Sequence, residues 1–262
     1  MTMRGRLSFL PVLKREVMCY LQSPGTYVAL AFFFLLSGAF FTTILWDFVE
    51  RSSQVRNGDT LRDSELPLNV TIRIISQVFS LMNFLMLLLV PALTMRLVAE
   101  ERKSGSFELL VTTPLGNWDI LLGKYFAALL IGLMVLAVTA LYPAICALYS
   151  DPEPGVILSC YIGLVLIVAA YTAFGVFTSS LTDSQIAAAV LSFAGLLILQ
   201  MPGFLFKSGA LGRIASALSI YPHADSFTRG IVALPDAAYF ILFAVFFLFM
   251  AAQALDARKW RA

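Results

Sequence analysis

Few side chains in this sequence are of the types that bind metals or carry out redox chemistry. The chain has three cysteines and one histidine. Cys19, Cys146 and Cys160 lack the C-x-x-C spacing of a metal or redox site, and His223 alone cannot form a multi-histidine centre. We therefore predict no metal site, and we interpret the cysteines as small buried side chains and His223 as a loop residue.

Candidate catalytic residues are equally scarce. Ser192, Thr139 and Tyr142 have no neighbouring His, Asp or Glu that could activate them as nucleophiles. The Gly-Lys-Tyr stretch at 123–125 lacks the earlier glycine and the following Ser or Thr of a phosphate-binding loop. It is interpreted as a helix start at the membrane interface. We predict neither a catalytic site nor an ATP site on this chain.

The composition excludes a soluble globular protein. Of the 262 residues 60% are hydrophobic and 13% charged, whereas soluble domains have roughly 45–50% apolar and about 25% charged residues. The net charge of +2 offers no positive excess for phosphate neutralisation, so no nucleic-acid partner is expected.

Apolar runs long enough to cross the ~30 Å hydrocarbon core of a bilayer determine the fold class. The sequence predicts an all-α polytopic membrane protein with six transmembrane helices, at about 26–48, 70–96, 119–142, 155–178, 185–206 and 236–256. The first run begins too late and is too long for a secretory signal, so it should remain as an anchor. The predicted domains are an N-terminal amphipathic connecting helix at 1–25, lying in the interface, and a six-span domain at 26–262.

The connecting segments indicate the orientation. Lys and Arg are more frequent in the segments on the same side as the N-terminus, which places both termini in the cytoplasm. Apolar residues interrupted by Pro222 and Pro235 predict short re-entrant outer helices within 207–235, before the last span. In this topology Cys146 and Cys160 both approach the outer side and could pair.

The segment 91–114 leaves the second span and enters a charged turn. Its helix can continue to Lys103 and end at Gly105, and Ser106 can then cap a short helix that Pro114 stops. A short helix held between two spans would be an effective lever.

This segment resembles the coupling region of ABC type-2 transporter permeases. That pattern has two acidic residues and a basic one, then Gly, Thr or Ser, Glu, leucines and a final Pro. The residues that carry the resemblance are Glu100, Glu101, Arg102, Gly105, Ser106, Glu108, Leu109, Leu110 and Pro114. Ser106 replaces the commoner Thr and keeps a capping hydroxyl.

Two other segments resemble the branch that includes the gliding-motility permeases and the permease of nitrous oxide reductase maturation. One is Lys14, Arg15 and Glu16 with Tyr20 and the residues that follow, and the other is the approach to the last span around 227–240. With the six spans, the resemblance covers essentially the whole chain.

The resemblance implies a homodimeric or heterodimeric permease of the bacterial inner membrane that works with two copies of a separate cytoplasmic ABC ATPase. ATP and Mg would be bound by that ATPase. The ATPase would contact the connecting helix, with Lys14, Arg15 and Glu16, and the coupling segment at about 100–114. ATP-driven closure of the ATPases would move these levers and tilt the spans, so that an unidentified substrate is exported.

Two other functions stay open. The chain could be a membrane scaffold that transmits ATPase work to an extracytoplasmic accessory protein. It could also be a secondary carrier, although no charged residue is securely placed at the centre of a span, where ion-coupled carriers usually need one.

Overall fold

The computed structural model describes residues 9–56, 74–103, 116–201 and 218–259, and the regular structure in these ranges is helical. The helices are α1 (Leu10–Gln22), α2 (Pro24–Arg56), α3 (Ser76–Thr94), α4 (Arg96–Lys103), α5 (Asn117–Thr139), α6 (Leu141–Tyr149), α7 (Pro154–Leu181), α8 (Gln185–Gln200), α9 (Ile220–Thr228) and α10 (Leu234–Lys259).

Five stretches of the described chain are long and apolar enough to cross a membrane. They are Pro24–Ser53, Ser76–Ala99, Trp118–Tyr149, Pro154–Leu181 and Leu234–Ala257. This confirms the predicted all-α polytopic membrane protein. In the region of the predicted fifth span, α8 is a shorter apolar helix of 16 residues, and residues 202–206 lie outside the described ranges.

The second and third spans each consist of two consecutive helices. α3 ends at Thr94 and α4 begins at Arg96, while α5 ends at Thr139 and α6 begins at Leu141. Pro91 lies inside α3; proline lacks an N–H, so the turn of helix before it loses one backbone hydrogen bond. The break near Met95 therefore follows a weakened turn.

Near the other end of the bundle, α9 lies within the segment predicted to form short outer helices. Pro222 does not divide this segment, because it lies in the first turn of α9, where a missing N–H costs nothing. Residues 207–217 lie outside the described ranges. The Ser76 hydroxyl donates to the Thr228 carbonyl at 2.8 Å, and the Ser159 hydroxyl donates to the Phe227 carbonyl at 3.0 Å. These bonds attach α9 to α3 and α7.

Three sequence interpretations need correction or refinement here. His223 is not a loop residue, because it lies in α9 with its Nδ1 2.7 Å from Asp236 Oδ1 at the start of α10. Cys146 and Cys160 are buried as predicted, and both are free thiols. Cys19 is exposed, because it lies on the face of α1 turned away from the bundle.

α7 forms the centre of the bundle and packs against α3, α5, α8, α9 and α10. Its close approach to α3 requires a residue without a side chain. A Cβ atom added to Gly175 would lie 2.8 Å from Thr94 Cβ, nearer than packed carbon atoms can approach. One turn before Gly175 on α7, the buried Tyr171 hydroxyl lies 3.0 Å from Asn83 Oδ1 and 3.3 Å from Gln200 Oε1. This polar contact connects α3, α7 and α8.

Replacing Gly175 with alanine should destabilise the bundle by about 1–3 kcal/mol, because α3 and α7 must separate to accept the methyl group. Gly155 on the same helix has nothing within 4 Å of its added Cβ. Gly155→Ala should therefore be neutral or slightly stabilising, as expected for alanine in a helix. The measurement is the thermal unfolding midpoint of each purified variant in one detergent. Equal midpoints for the two variants would contradict the close crossing.

Candidate functional site

The first helix lies against the beginning of α5 and presents one face to it. Val12, Glu16 and Tyr20 are buried and recur every four residues, as expected for one face of a helix. A Cβ atom added to Gly123 would lie 2.8 Å from Val12 Cβ, so the absence of a side chain at Gly123 sets the distance between α1 and α5. Lys14 and Arg15 lie on the exposed face.

A buried ion pair joins the two helices. Lys124 Nζ lies 3.0 Å from Glu16 Oε1, and their side chains are only 2% and 10% exposed. Arg15 Nη2 contacts the same carboxylate oxygen at 2.6 Å. Burial by itself would raise the pKa of Glu16, but the attraction of Lys124 and Arg15 and their hydrogen bonds outweigh it and hold this pKa below its usual value. Glu16 is therefore a carboxylate at neutral pH.

Lys124 also binds the backbone beyond the break in the second span. Its ammonium group donates to the Leu97 carbonyl at 2.6 Å. From α1, the Tyr20 hydroxyl donates to the Leu93 carbonyl at 2.8 Å. Leu93 is in the last turn of α3, where carbonyl groups lack partners within the helix. Side chains of α1 and α5 thus bind the backbone on both sides of the break.

Ser179 of α7 completes the bonding of this backbone. Its hydroxyl donates to the Met95 carbonyl at 3.1 Å and accepts from the N–H groups of Val98 and Ala99, each at 3.2 Å. These N–H groups lie in the first turn of α4, where donors lack partners within the helix. Ser179 therefore acts as a cap supplied by a distant helix.

Arg96, the first residue of α4, attaches the junction of α1 and α2. Its guanidinium donates to the Ser23 hydroxyl and, at 2.8 Å, to the Thr26 hydroxyl. The guanidinium carbon lies 4.6 Å from the centre of the Tyr20 ring, which is within the range of a cation–π interaction. We call Glu16, Tyr20, Arg96, Lys124 and Ser179 the break cluster.

Only some of the residues predicted to form the site lie within the described ranges. Lys14, Arg15 and Glu16 lie in α1, and the backbone of Glu100, Glu101 and Arg102 lies in α4. The other predicted coupling residues, Gly105, Ser106, Glu108, Leu109, Leu110 and Pro114, lie outside the described residues. The break cluster thus holds the two helices on which the described part of the predicted site is located.

Sequence reasoning missed Arg96, Lys124 and Ser179. Lys124 was interpreted as part of a helix start at the interface, and this is wrong, because it lies about two turns into α5 and is buried against α1 and α4. A signal was present, since a lone cation within an apolar run needs a partner. Ser179 gave no signal, because a serine near a helix end is common.

The break cluster holds helices together and is not arranged to transform a ligand. Its members bind one another and the backbone, and they leave no arrangement of nucleophile and base. Among the described residues, no group of three or more His, Cys, Asp or Glu side chains could hold a metal ion.

The family model described as "ABC-2 family transporter protein" matches residues 10–216, which extend from the first residue of α1 to beyond α8. No curated protein matches the sequence.

Lys124→Met should lower the free energy of unfolding by about 3 kcal/mol. This value is near the lower end of the range for a buried ion pair that loses one partner, because Arg15 still contacts Glu16. The double variant Glu16→Gln/Lys124→Met should recover most of this loss, since no buried charge is left alone. Asp47→Asn is the control, because the Asp47–Arg51 pair is half-exposed and contributes at most about 1 kcal/mol. Denaturant unfolding of the purified chain gives these values, and additive effects of the two cluster substitutions would contradict the coupling.

Proposed function

Because the chain belongs to the ABC-2 transporter family, and is thus the membrane permease subunit of an ABC transporter, we propose that it exports its substrate with energy from ATP hydrolysed on a separate cytoplasmic ATPase. The observation that carries this proposal is the attachment of α1 and α4 to each other and to α5 and α7 through the break cluster. These are the helices on which an ATPase is expected to act.

The break cluster supports a mechanism in which the two contact elements move together. The Lys124 ammonium binds the Glu16 carboxylate of α1 and the Leu97 carbonyl of α4 at the same time. A displacement of α4 is therefore transferred to α1 and to α5 unless this buried bonding is broken, and breaking it is costly. The ATPases would push on α4 through the coupling segment, and the attached spans would tilt as a unit.

The proposed assembly has one ATPase for each permease and two permeases, either identical or different. ATP and Mg are bound by the ATPase. Both termini of the permease face the cytoplasm, and the membrane is the bacterial inner membrane. We assign the chain to the branch of gliding-motility and nitrous-oxide-reductase-maturation permeases on the resemblance of its entry segment, with Lys14, Arg15, Glu16 and Tyr20.

The full-length chain, tagged in its native host and extracted in mild detergent, should carry a P-loop ATPase through size exclusion at one copy per permease. Mass spectrometry of the peak identifies the bound proteins and their ratio. If a protein with an outer-facing domain is also bound at a stoichiometric ratio, a scaffold that transmits ATPase work outward becomes the favoured function and export the disfavoured one. Absence of any ATPase, even with nucleotide and crosslinker, would overturn the proposed mechanism.

We expect Glu108 to pair with a basic residue of the ATPase. Glu108→Arg should then reduce the ATP hydrolysis stimulated by the permease in the reconstituted complex about a hundredfold, because like charges placed across a contact cost several kcal/mol and each 1.4 kcal/mol is about tenfold. Arg51→Ala is the matched control, since Arg51 is exposed near the opposite end of α2. Both variants should elute as folded permease. Normal stimulation by Glu108→Arg would remove Glu108 from the ATPase contact and leave the rest of the assembly in place.

A further inference from the structure

An apolar groove of about 550 Å³ runs between α2 and α3 and opens to the outside of the helix bundle. Its volume is in the range of small-molecule binding sites. The apolar walls are formed by side chains one or two turns apart on each helix, including Val28, Phe32, Leu36, Leu85, Leu89 and Ala92. Thr26 and Arg96 lie together at one end of the groove.

The length of the groove is close to the thickness of one leaflet of a bilayer. From Thr26 to Leu36 on α2, and from Leu85 to Arg96 along the antiparallel second span, the helical rise of 1.5 Å per residue gives about 15–17 Å. Half of the ~30 Å hydrocarbon core is about 15 Å. The apolar walls therefore cover the depth of one leaflet, and the Arg96 end lies near the membrane surface.

Among the side chains that the structure describes, no carboxylate forms an ion pair with the Arg96 guanidinium. Its bonds go to the Ser23 and Thr26 hydroxyls, and it lies over the Tyr20 ring. The nearby Glu16 carboxylate is already shared by Arg15 and Lys124. Among the described side chains, this end of the groove therefore carries a net positive charge.

We propose that this groove binds an anionic phospholipid, with one acyl chain along the apolar walls and the phosphate against the Arg96 guanidinium. Guanidinium groups form charge-assisted hydrogen bonds with phosphate oxygens, and the cytoplasmic leaflet is rich in anionic lipids. The site is independent of which substrate the permease moves.

A second copy of the chain is a poorer occupant of the groove. Two copies related by an axis along the membrane normal would have their Arg96 ends on the same side of the membrane. The acidic residues Asp47 and Glu50 of α2 would lie toward the opposite side, about three and four turns beyond Leu36. A copy that seated its own α2 in the groove would therefore bring neither of these two carboxylates to Arg96, whereas a lipid places its phosphate there.

The test uses the full-length chain in nanodiscs with a phosphatidylglycerol that carries a photoreactive group on its acyl chain. Peptide mapping should place the crosslinks on α2 and α3 residues of the groove. Unlabelled phosphatidylglycerol should compete about fivefold better than phosphatidylcholine, as expected for about 1 kcal/mol from one basic residue near the surface. Inorganic phosphate should not compete, because it lacks the acyl chain.

Two variants test the headgroup contact and the apolar groove separately. Arg96→Ala should lower crosslinking about fivefold and remove the preference for phosphatidylglycerol. Ala92→Trp should lower crosslinking by filling the groove while Arg96 stays in place. Arg229→Ala is the control, since Arg229 is 71% exposed and lies in the segment after α9, and it should leave crosslinking unchanged.

Several outcomes would overturn the proposal. They are equal competition by the two lipids, crosslinking that Arg96→Ala does not alter, and groove residues that crosslink to a second copy of the chain instead of lipid. Size-exclusion elution identifies any variant that has failed to fold. If Arg96→Ala fails in this way, Ala92→Trp and the lipid competition on the unmodified chain still decide the matter.

Discussion

A helix that breaks near a membrane leaves backbone groups that must find partners, and the break between α3 and α4 is the constraint on which this structure depends. Water is scarce there, and each unpaired N–H or carbonyl costs several kcal/mol. The partners come from three other helices, through Tyr20 of α1, Lys124 of α5 and Ser179 of α7. The direction of α4 is therefore determined by the packing of the bundle.

The same constraint explains two positions where a side chain cannot be accommodated. Gly123 brings α1 close enough to α5 for the Glu16–Lys124 contact, and Gly175 brings α7 against the last turn of α3. Ser179 is one helical turn from Gly175, so the close crossing delivers its hydroxyl to the break. Small residues that permit close approach are the usual means of helix association in membranes, and here they also position the polar groups.

The spans could be predicted because each depends on a continuous run of apolar residues, which the sequence displays directly. α7 is an example, predicted at about 155–178 and found at Pro154–Leu181. The break cluster could not be predicted. Ser179 bonds backbone about 80 residues away, and no local pattern reveals such a partner. Glu16 and Tyr20 could be named from the sequence only as part of the entry segment, without their partners. Lys124 had a signal as a cation within an apolar run, and there the ambiguity between a buried pair and a hydrated interface led to the wrong interpretation.

The distribution of polar groups along the bundle also favours a mechanism driven from outside the membrane. Of the charged members of the break cluster, Arg96 is the first residue of α4, Lys124 lies about two turns into α5, and Glu16 lies in α1, which precedes the first span. Deeper in the bundle, the contact between α3, α7 and α8 uses the neutral groups of Asn83, Tyr171 and Gln200. A carrier powered by an ion gradient needs a titratable or ion-binding group at such a depth. Among the described residues, the polar groups that join separate helices to the backbone of the second span instead lie between α1, α4, α5 and α7, on the elements that the proposed function assigns to the ATPase contact.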